Sequence, residues 1–282
     1  MTYHYVGVGA SRTLLLSGVI YMLASRQFIG TSAVALLCIL GVGYLQIPQL
    51  QRLIASQKAA TPQTLEKATQ AEELRLKLLQ KTPAFGFDNF FADWTYLNFI
   101  QYFGDDDIRA KTGYRLSPEY FEIIIKHDPR FLDSYIGLST STSMYAAMPE
   151  RSIALMDKGL QSLRPNLPPQ RSYYVWRYKG IDQLLFLGNA PAAKESFTKA
   201  AEWASQYSDP ESQQVANVSR QTATFLARNP KSKSAQIAAW TMVLSNGVDE
   251  RTKKIAINRI EALGGKLVNT PKGIAVRSPK EN

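Results

Sequence analysis

Residues 28–47 read FIGTSAVALLCILGVGYLQI, twenty in a row without a charged side chain. In a helix rising about 1.5 Å per residue, this run matches a bilayer hydrocarbon core of about 30 Å. Every backbone polar group would then be satisfied within the helix itself. Gly30, Gly41 and Gly43 agree with such a span, because glycine is common in membrane helices. A secretory leader is the competing reading, but the run exceeds a typical leader core and no clear A-x-A site follows. A retained transmembrane helix over 28–47 is therefore the expectation, with a connector over 48–84 leading to a helical domain over 85–263. The earlier apolar run Thr13–Ala24 lies between Arg12 and Arg26 and is too short to span, so 1–27 reads as an interfacial or hairpin segment. A start at Met22 would instead leave a short basic leader, Met22–Arg26, directly before the span.

Orientation is nearly balanced by charge. Arg12 and Arg26 precede the span, and Arg52 and Lys58 follow it. A single N-terminal anchor before a long domain commonly acts as an uncleaved export signal, which points to a single-pass protein with its soluble part on the non-cytoplasmic side.

The net charge of +10 is uneven. From Arg228 onward there are 11 Lys/Arg and 4 Asp/Glu, so most of the basic excess falls in the last quarter. Arg251, Lys253, Lys254, Arg259 and Lys266 carry the candidate surface, and 264–282 reads as a basic tail. Such a patch suits an anionic lipid surface or an acidic protein face. It can equally be a solvated helix face. No aromatic residue follows Trp240, which weakens a nucleic-acid stacking site.

Residues 62–80 approximate a helical stripe through Leu65, Ala68, Glu72, Leu76 and Leu79, opened by Thr61-Pro62. The segment 85–103 holds nine aromatics in nineteen residues. As a helix from about Asp88 to Gly104 it is apolar nearly all round, which predicts burial on several sides. Phe87, Phe91, Trp94, Phe99 and Tyr102 are its candidate residues, either as a packed core helix or as the lining of a groove for a peptide, lipid or pigment. From Ser117 onward, short Pro, Gly and Asn breaks separate helices over about 117–127, 132–147, 149–164, 171–187, 190–208, 211–228, 233–246 and 249–263. Pro129, Pro168 and Pro210 recur about every forty residues, the spacing of two-helix repeats.

Ser117, Phe121, Ile124 and Pro129 keep the small–aromatic–small–proline spacing of a tetratricopeptide second helix. Ala193, Phe197 and Ala200 keep its first three positions, and Ser152, Met156, Gly159 and Pro165 a looser form. Trp176 and Gly180 fall where first-helix residues of that motif belong. Over about 110–263 the chain thus resembles a degenerate tetratricopeptide array. The resemblance implies antiparallel helical hairpins stacked as an α-solenoid, so together with the span over 28–47 the expected fold is all-α, an N-terminal transmembrane helix followed by these hairpins. The stretch Ala92-Asp-Trp-Thr-Tyr-Leu-Asn-Phe-Ile-Gln-Tyr-Phe-Gly-Asp105 with Asp128-Pro-Arg-Phe131 also resembles a group of bacterial, in this form cyanobacterial, envelope proteins. That likeness implies a thylakoid or other envelope membrane and no particular chemistry.

Catalytic groups are sparse. Cys38, the sole cysteine, lies in the apolar run, and the histidines are His4 and His127. No Cys-His pair and no G-x-S-x-G elbow exist. His127 reads as a turn or capping residue, and Asp105-Asp106-Asp107 as a cap without an EF-hand pattern. Asp88 and Asp93 would have to serve an envelope enzyme, with neither base nor metal beside them. The leading expectation is a non-enzymatic scaffold or assembly factor for a membrane complex, possessing neither cofactor nor metal and binding a protein partner. A lipid- or pigment-binding protein is the alternative.

Overall fold

In the computed structural model the described residues are 32–51, 61–166, 168, 170–228, 233–246, 249–270 and 273–277. The expected segment 1–27 lies outside them. The chain divides into two compact units, 1–60 and 61–282. In the first, α1 (Ser32–Gln51) is a helix long and apolar enough to cross a membrane, with none of its apolar window buried. It covers most of the expected span and runs four residues past it.

The second unit is almost entirely helical. It runs α2 (Pro62–Lys81), α3 (Asp88–Gly104), α4 (Asp106–Thr112), α5 (Ser117–His127), α6 (Asp133–Leu138), a π-helical turn (Ser139–Tyr145), α7 (Pro149–Leu160), α8 (Tyr173–Leu185), α9 (Ala190–Ala204), α10 (Pro210–Arg228), α11 (Lys233–Asn246) and α12 (Glu250–Ala262). Helix starts follow local chemistry. The Thr64, Ala192 and Thr252 amides donate to the side chains of Thr61, Asn189 and Asp249 at 3.3, 3.1 and 3.0 Å. Each of these groups satisfies an amide that has no partner inside its helix. Asp105 caps α4 in the same way through the Ile108 amide.

Glycines opposite aromatic side chains set the helix spacing. A Cβ at Gly137 of α6 would stand 3.2 Å from the Phe121 ring of α5, and one at Gly180 of α8 would stand 3.1 Å from the Phe197 ring of α9. At Gly159 of α7 a Cβ would overlap the Tyr135 hydroxyl of α6. In each pair the missing side chain on one helix is the volume that the ring on the next one fills. Ala190, Ala193, Ala200 and Ala204 of α9 are buried for the same reason.

The main core joins Leu76 of α2 and Phe99 of α3 to Phe121, Ile123 and Ile124 of α5, Tyr135 and Leu138 of α6, and Met156 of α7. A second core gathers Phe186, Ile237, Trp240, Val243 and Ile260 beneath α11 and α12, where Trp240 Nε1 donates to the Phe186 carbonyl at 3.1 Å. Two expectations change. First, the chain does not stop at Gly264-Gly265: β1 (Lys266–Thr270) and β2 (Gly273–Arg277) pair antiparallel, with Lys266 opposite Arg277 and Thr270 opposite Gly273. What reads as a tail over 264–282 therefore contains a two-stranded hairpin, whose alternate residues exchange backbone hydrogen bonds across the pair. Second, the expected helix over 132–147 changes winding midway. The Ala146 amide donates to the Ser141 carbonyl at 2.9 Å, an i→i+5 bond, so Ser139–Tyr145 is π-helical. The run Ser-Thr-Ser-Thr-Ser is a weak α-helix former, because its hydroxyls and β-branches favour other partners.

Candidate functional site

Asp182 of α8 is completely buried, and its carboxylate is gripped by three hydroxyls. Ser139 donates to Oδ1 at 2.7 Å, while Ser143 and Ser152 donate to Oδ2 at 2.6 and 2.8 Å. The donors come from the π-helical turn and from α7, so three elements converge on one side chain. Burial pushes the carboxyl up to about 6, because desolvation outweighs the stabilising hydrogen bonds from the serines. Two further hydroxyls of the turn, Ser141 and Thr142, are buried without a hydrogen-bond partner. Unsatisfied buried polar groups and π-turns both recur at functional positions.

A groove of about 480 Å³ runs past this cluster between α6 with the π-turn, α8 and α11. Ile136, Met144, Ile181, Leu185, Ala238 and Met242 form most of its wall, and Ser139, Thr140, Tyr178 and Asp182 are its polar residues. Its size falls within the range of small-ligand and side-chain pockets. Ile136 and Met242 remain more than half exposed at its mouth. The groove is mostly apolar, and the Asp182 carboxyl lies beneath its wall, covered from water by the three serines. Among the described residues no group of three or more His, Cys, Asp or Glu side chains is placed to hold a metal ion.

The aromatic helix α3 is not buried on several sides. Ala92, Thr95, Phe99 and Tyr102 face the core, whereas Phe87, Phe90, Trp94 and Leu97 form an exposed stripe. The candidates Phe87, Phe91, Trp94, Phe99 and Tyr102 thus belong to different surroundings. Phe99 packs on Phe121 at 4.5 Å, and Tyr102 packs on Tyr120 at 5.0 Å. Phe91 is half-buried against His127, 5.1 Å between ring centres. Trp94 carries the Arg75 guanidinium 5.6 Å from its ring. His127 is buried rather than a surface turn residue, with Nδ1 2.7 Å from Asp88 Oδ1 and no partner on Nε2. Asp88 is therefore the acceptor for a core histidine, and Asp93 is exposed.

The basic residues are also divided. Arg251 donates to the Ala146 carbonyl at 3.0 Å, closing α12 onto the end of the π-turn. Arg259 pairs with Glu150 at 2.8 Å and lies 5.5 Å from the Trp240 ring. Lys253 pairs with Glu250 at 3.1 Å, a short-range contact within the helix. Lys254 and Lys266 are exposed. Two of the five candidates thus fasten α12 to the body of the unit.

The Asp182 cluster was not anticipated from the sequence. Its available signals were a carboxylate inside the apolar run Gly-Ile-Asp-Gln-Leu-Leu and the serine-threonine run 139–143. No protein-family model matches the chain, and comparison with curated proteins and with solved structures finds no match either.

Proposed function

We propose that this chain is a membrane-anchored, tetratricopeptide-like scaffold whose groove between α6, α8 and α11 receives an apolar segment of a protein partner. The groove itself carries the reading: about 480 Å³ of mostly apolar wall, with exposed Ile136 and Met242 at its mouth. An apolar side chain entering it would lose water contact on nearly all sides, a gain of about 1.5–3 kcal/mol for each large residue buried. The solenoid interpretation rests on the glycine–aromatic pairs Gly180–Phe197, Gly159–Tyr135 and Gly137–Phe121, the packing device of stacked helical hairpins. The anchor interpretation rests on α1. A non-cytoplasmic soluble unit and an assembly role in an envelope membrane fit these features.

The test is site-specific photo-crosslinking from position 136 in native membranes. A discrete adduct is expected, and it should vanish when Ala238→Trp fills the groove. Ala238 is exposed, so the larger ring can be added without disturbing the core. An unchanged adduct in the filled variant, or a chain that crosslinks to nothing, would overturn the reading.

A further inference from the structure

We propose that the exposed aromatic stripe of α3, together with the Phe85–Gly86 turn before it, is a second membrane contact that lays the 61–282 unit against the bilayer surface. The proposal rests on the reading of α1 as a membrane span. Phe85, Phe87 and Phe90 are 84, 69 and 67% exposed, and Trp94 and Leu97 extend the stripe along the helix. Their spacing of three, four and three residues from Phe87 keeps them on one face, opposite Phe99 and Tyr102. So many large apolar side chains along one side of a helix mark an interaction surface rather than chance exposure.

The turn holds the apolar groups outward at a conformational cost. Phe85 has φ +50°, where a bulky side chain is rarely found, and Gly86 follows at φ +89°. The two residues send the chain from α2 into α3 with Phe85 and Phe87 both in water.

The chemistry suits a headgroup boundary better than the interior of a protein complex. Phenylalanine and tryptophan insert to the depth of the acyl–headgroup border, and nearby cations meet lipid phosphates. Arg75, paired with Glu72 at 2.7 Å, lies over Trp94; Lys77 is paired with Glu73 at 2.7 Å, and Lys81 is exposed at the last turn of α2, with Leu74 and Leu78 exposed on the same helix. Asp93, three residues after Phe90 and four before Leu97, borders the stripe on the side away from Trp94, where its carboxylate stays in water. Connectivity supplies the rest of the argument. Only residues 52–61 separate α1 from α2, a reach of at most ~36 Å. The stripe begins beyond α2, about 30 Å further on, so linker and helix together still confine it near the bilayer and raise its effective concentration there.

The experiment uses the full chain in phosphatidylcholine–phosphatidylglycerol vesicles, with and without brominated acyl chains. The described span α1 contains no tryptophan, and the other three, Trp176, Trp203 and Trp240, are buried or half-buried in the second unit. Brominated lipid is expected to quench part of the fluorescence, and Trp94→Phe should abolish that quenched part. The double variant Phe87→Ser with Phe90→Ser should reduce it, with the circular dichroism unchanged. Equal quenching in the Trp94→Phe protein, or none in the parent protein, overturns the proposal and leaves the stripe to a protein partner. Alkaline carbonate extraction of the same vesicles distinguishes the two premises. Release of the chain defeats the reading of α1, and the proposal with it; retention without quenching defeats the surface contact alone.

Discussion

Ser143 Oγ donates to Asp182 Oδ2 at 2.6 Å, with neither residue exposed to water. The bond joins the π-helical turn to α8, and Ser152 adds α7 to the same oxygen. A carboxylate in that position is a charge taken out of water and held by neutral dipoles alone, without a cation among its hydrogen-bond donors.

This arrangement gives Asp182 a definite pH signature. Its carboxyl lies at about 6 in the folded chain, against an ordinary value of 3.8. The folded state therefore binds the proton more tightly, and stability falls as pH rises from about 4 to about 6. The full effect is on the order of 3 kcal/mol. Asp182→Asn keeps acceptor and shape but cannot ionise, so its urea midpoint should be flatter across this window than that of the parent. Identical pH profiles would show that Asp182 does not titrate in this range.

Glu72 works in the opposite sense. Burial acts to raise its carboxyl, but hydrogen bonds from Arg75 and Tyr120, with the Arg75 charge, outweigh it and hold the group below the usual range. Its contribution is present above the unfolded value and disappears as pH falls through the folded one. The Tyr120 hydroxyl donates to Glu72 at 2.6 Å and thereby ties α5 to α2. Tyr120→Phe should cost about 1–2 kcal/mol, the lower part of the range for a bond to a charged group because Glu72 is part-exposed. Hydrogen exchange should speed up in α2 before it does so in α5; uniform acceleration of both would show that the bond does not act locally.

Gly159 cannot accept a side chain without movement of Tyr135. A Cβ there would stand 2.6 Å from Tyr135 Cζ and would overlap the hydroxyl. Gly159→Ala should destabilise by about 1–3 kcal/mol, the usual range for overpacking. Tyr135→Phe removes the hydroxyl and with it the bond to the Pro129 carbonyl. In a double-mutant cycle the two changes should be less than additive, and strict additivity would place the clash elsewhere.

The aromatic stripe makes the contrary prediction for stability. Phe87→Ser and Phe90→Ser change residues that the rest of the unit barely covers. Each should move the stability of the chain in detergent by no more than about 0.5 kcal/mol. A Phe99→Ala change in the same helix should cost about 3–5 kcal/mol, since that ring lies in the core beside Phe121. Comparable losses at Phe87 and Phe99 would mean that the stripe is packed.

Much of this architecture is local and was legible in the residues. Thr61, Asn189 and Asp249 cap their helices through atoms three positions away, so the sequence alone determines where those helices begin. The membrane-length helix depends on the absence of charge along one run, which is equally local. Small and aromatic residues at helical spacing also pointed to close-packed helices, and Gly180 meets Phe197 accordingly. Tertiary structure decided what periodicity leaves open. A helix apolar all round, such as α3, carries no pattern that says which face will be covered; its packing on α5 buried Phe99 and left Phe90 in water. The partners of Asp182 lie 30 to 43 residues away, and only the folding of α7 and the π-turn against α8 brings three hydroxyls to that carboxylate. Local chemistry acts over one helical turn, whereas burial and charge compensation depend on which helices meet.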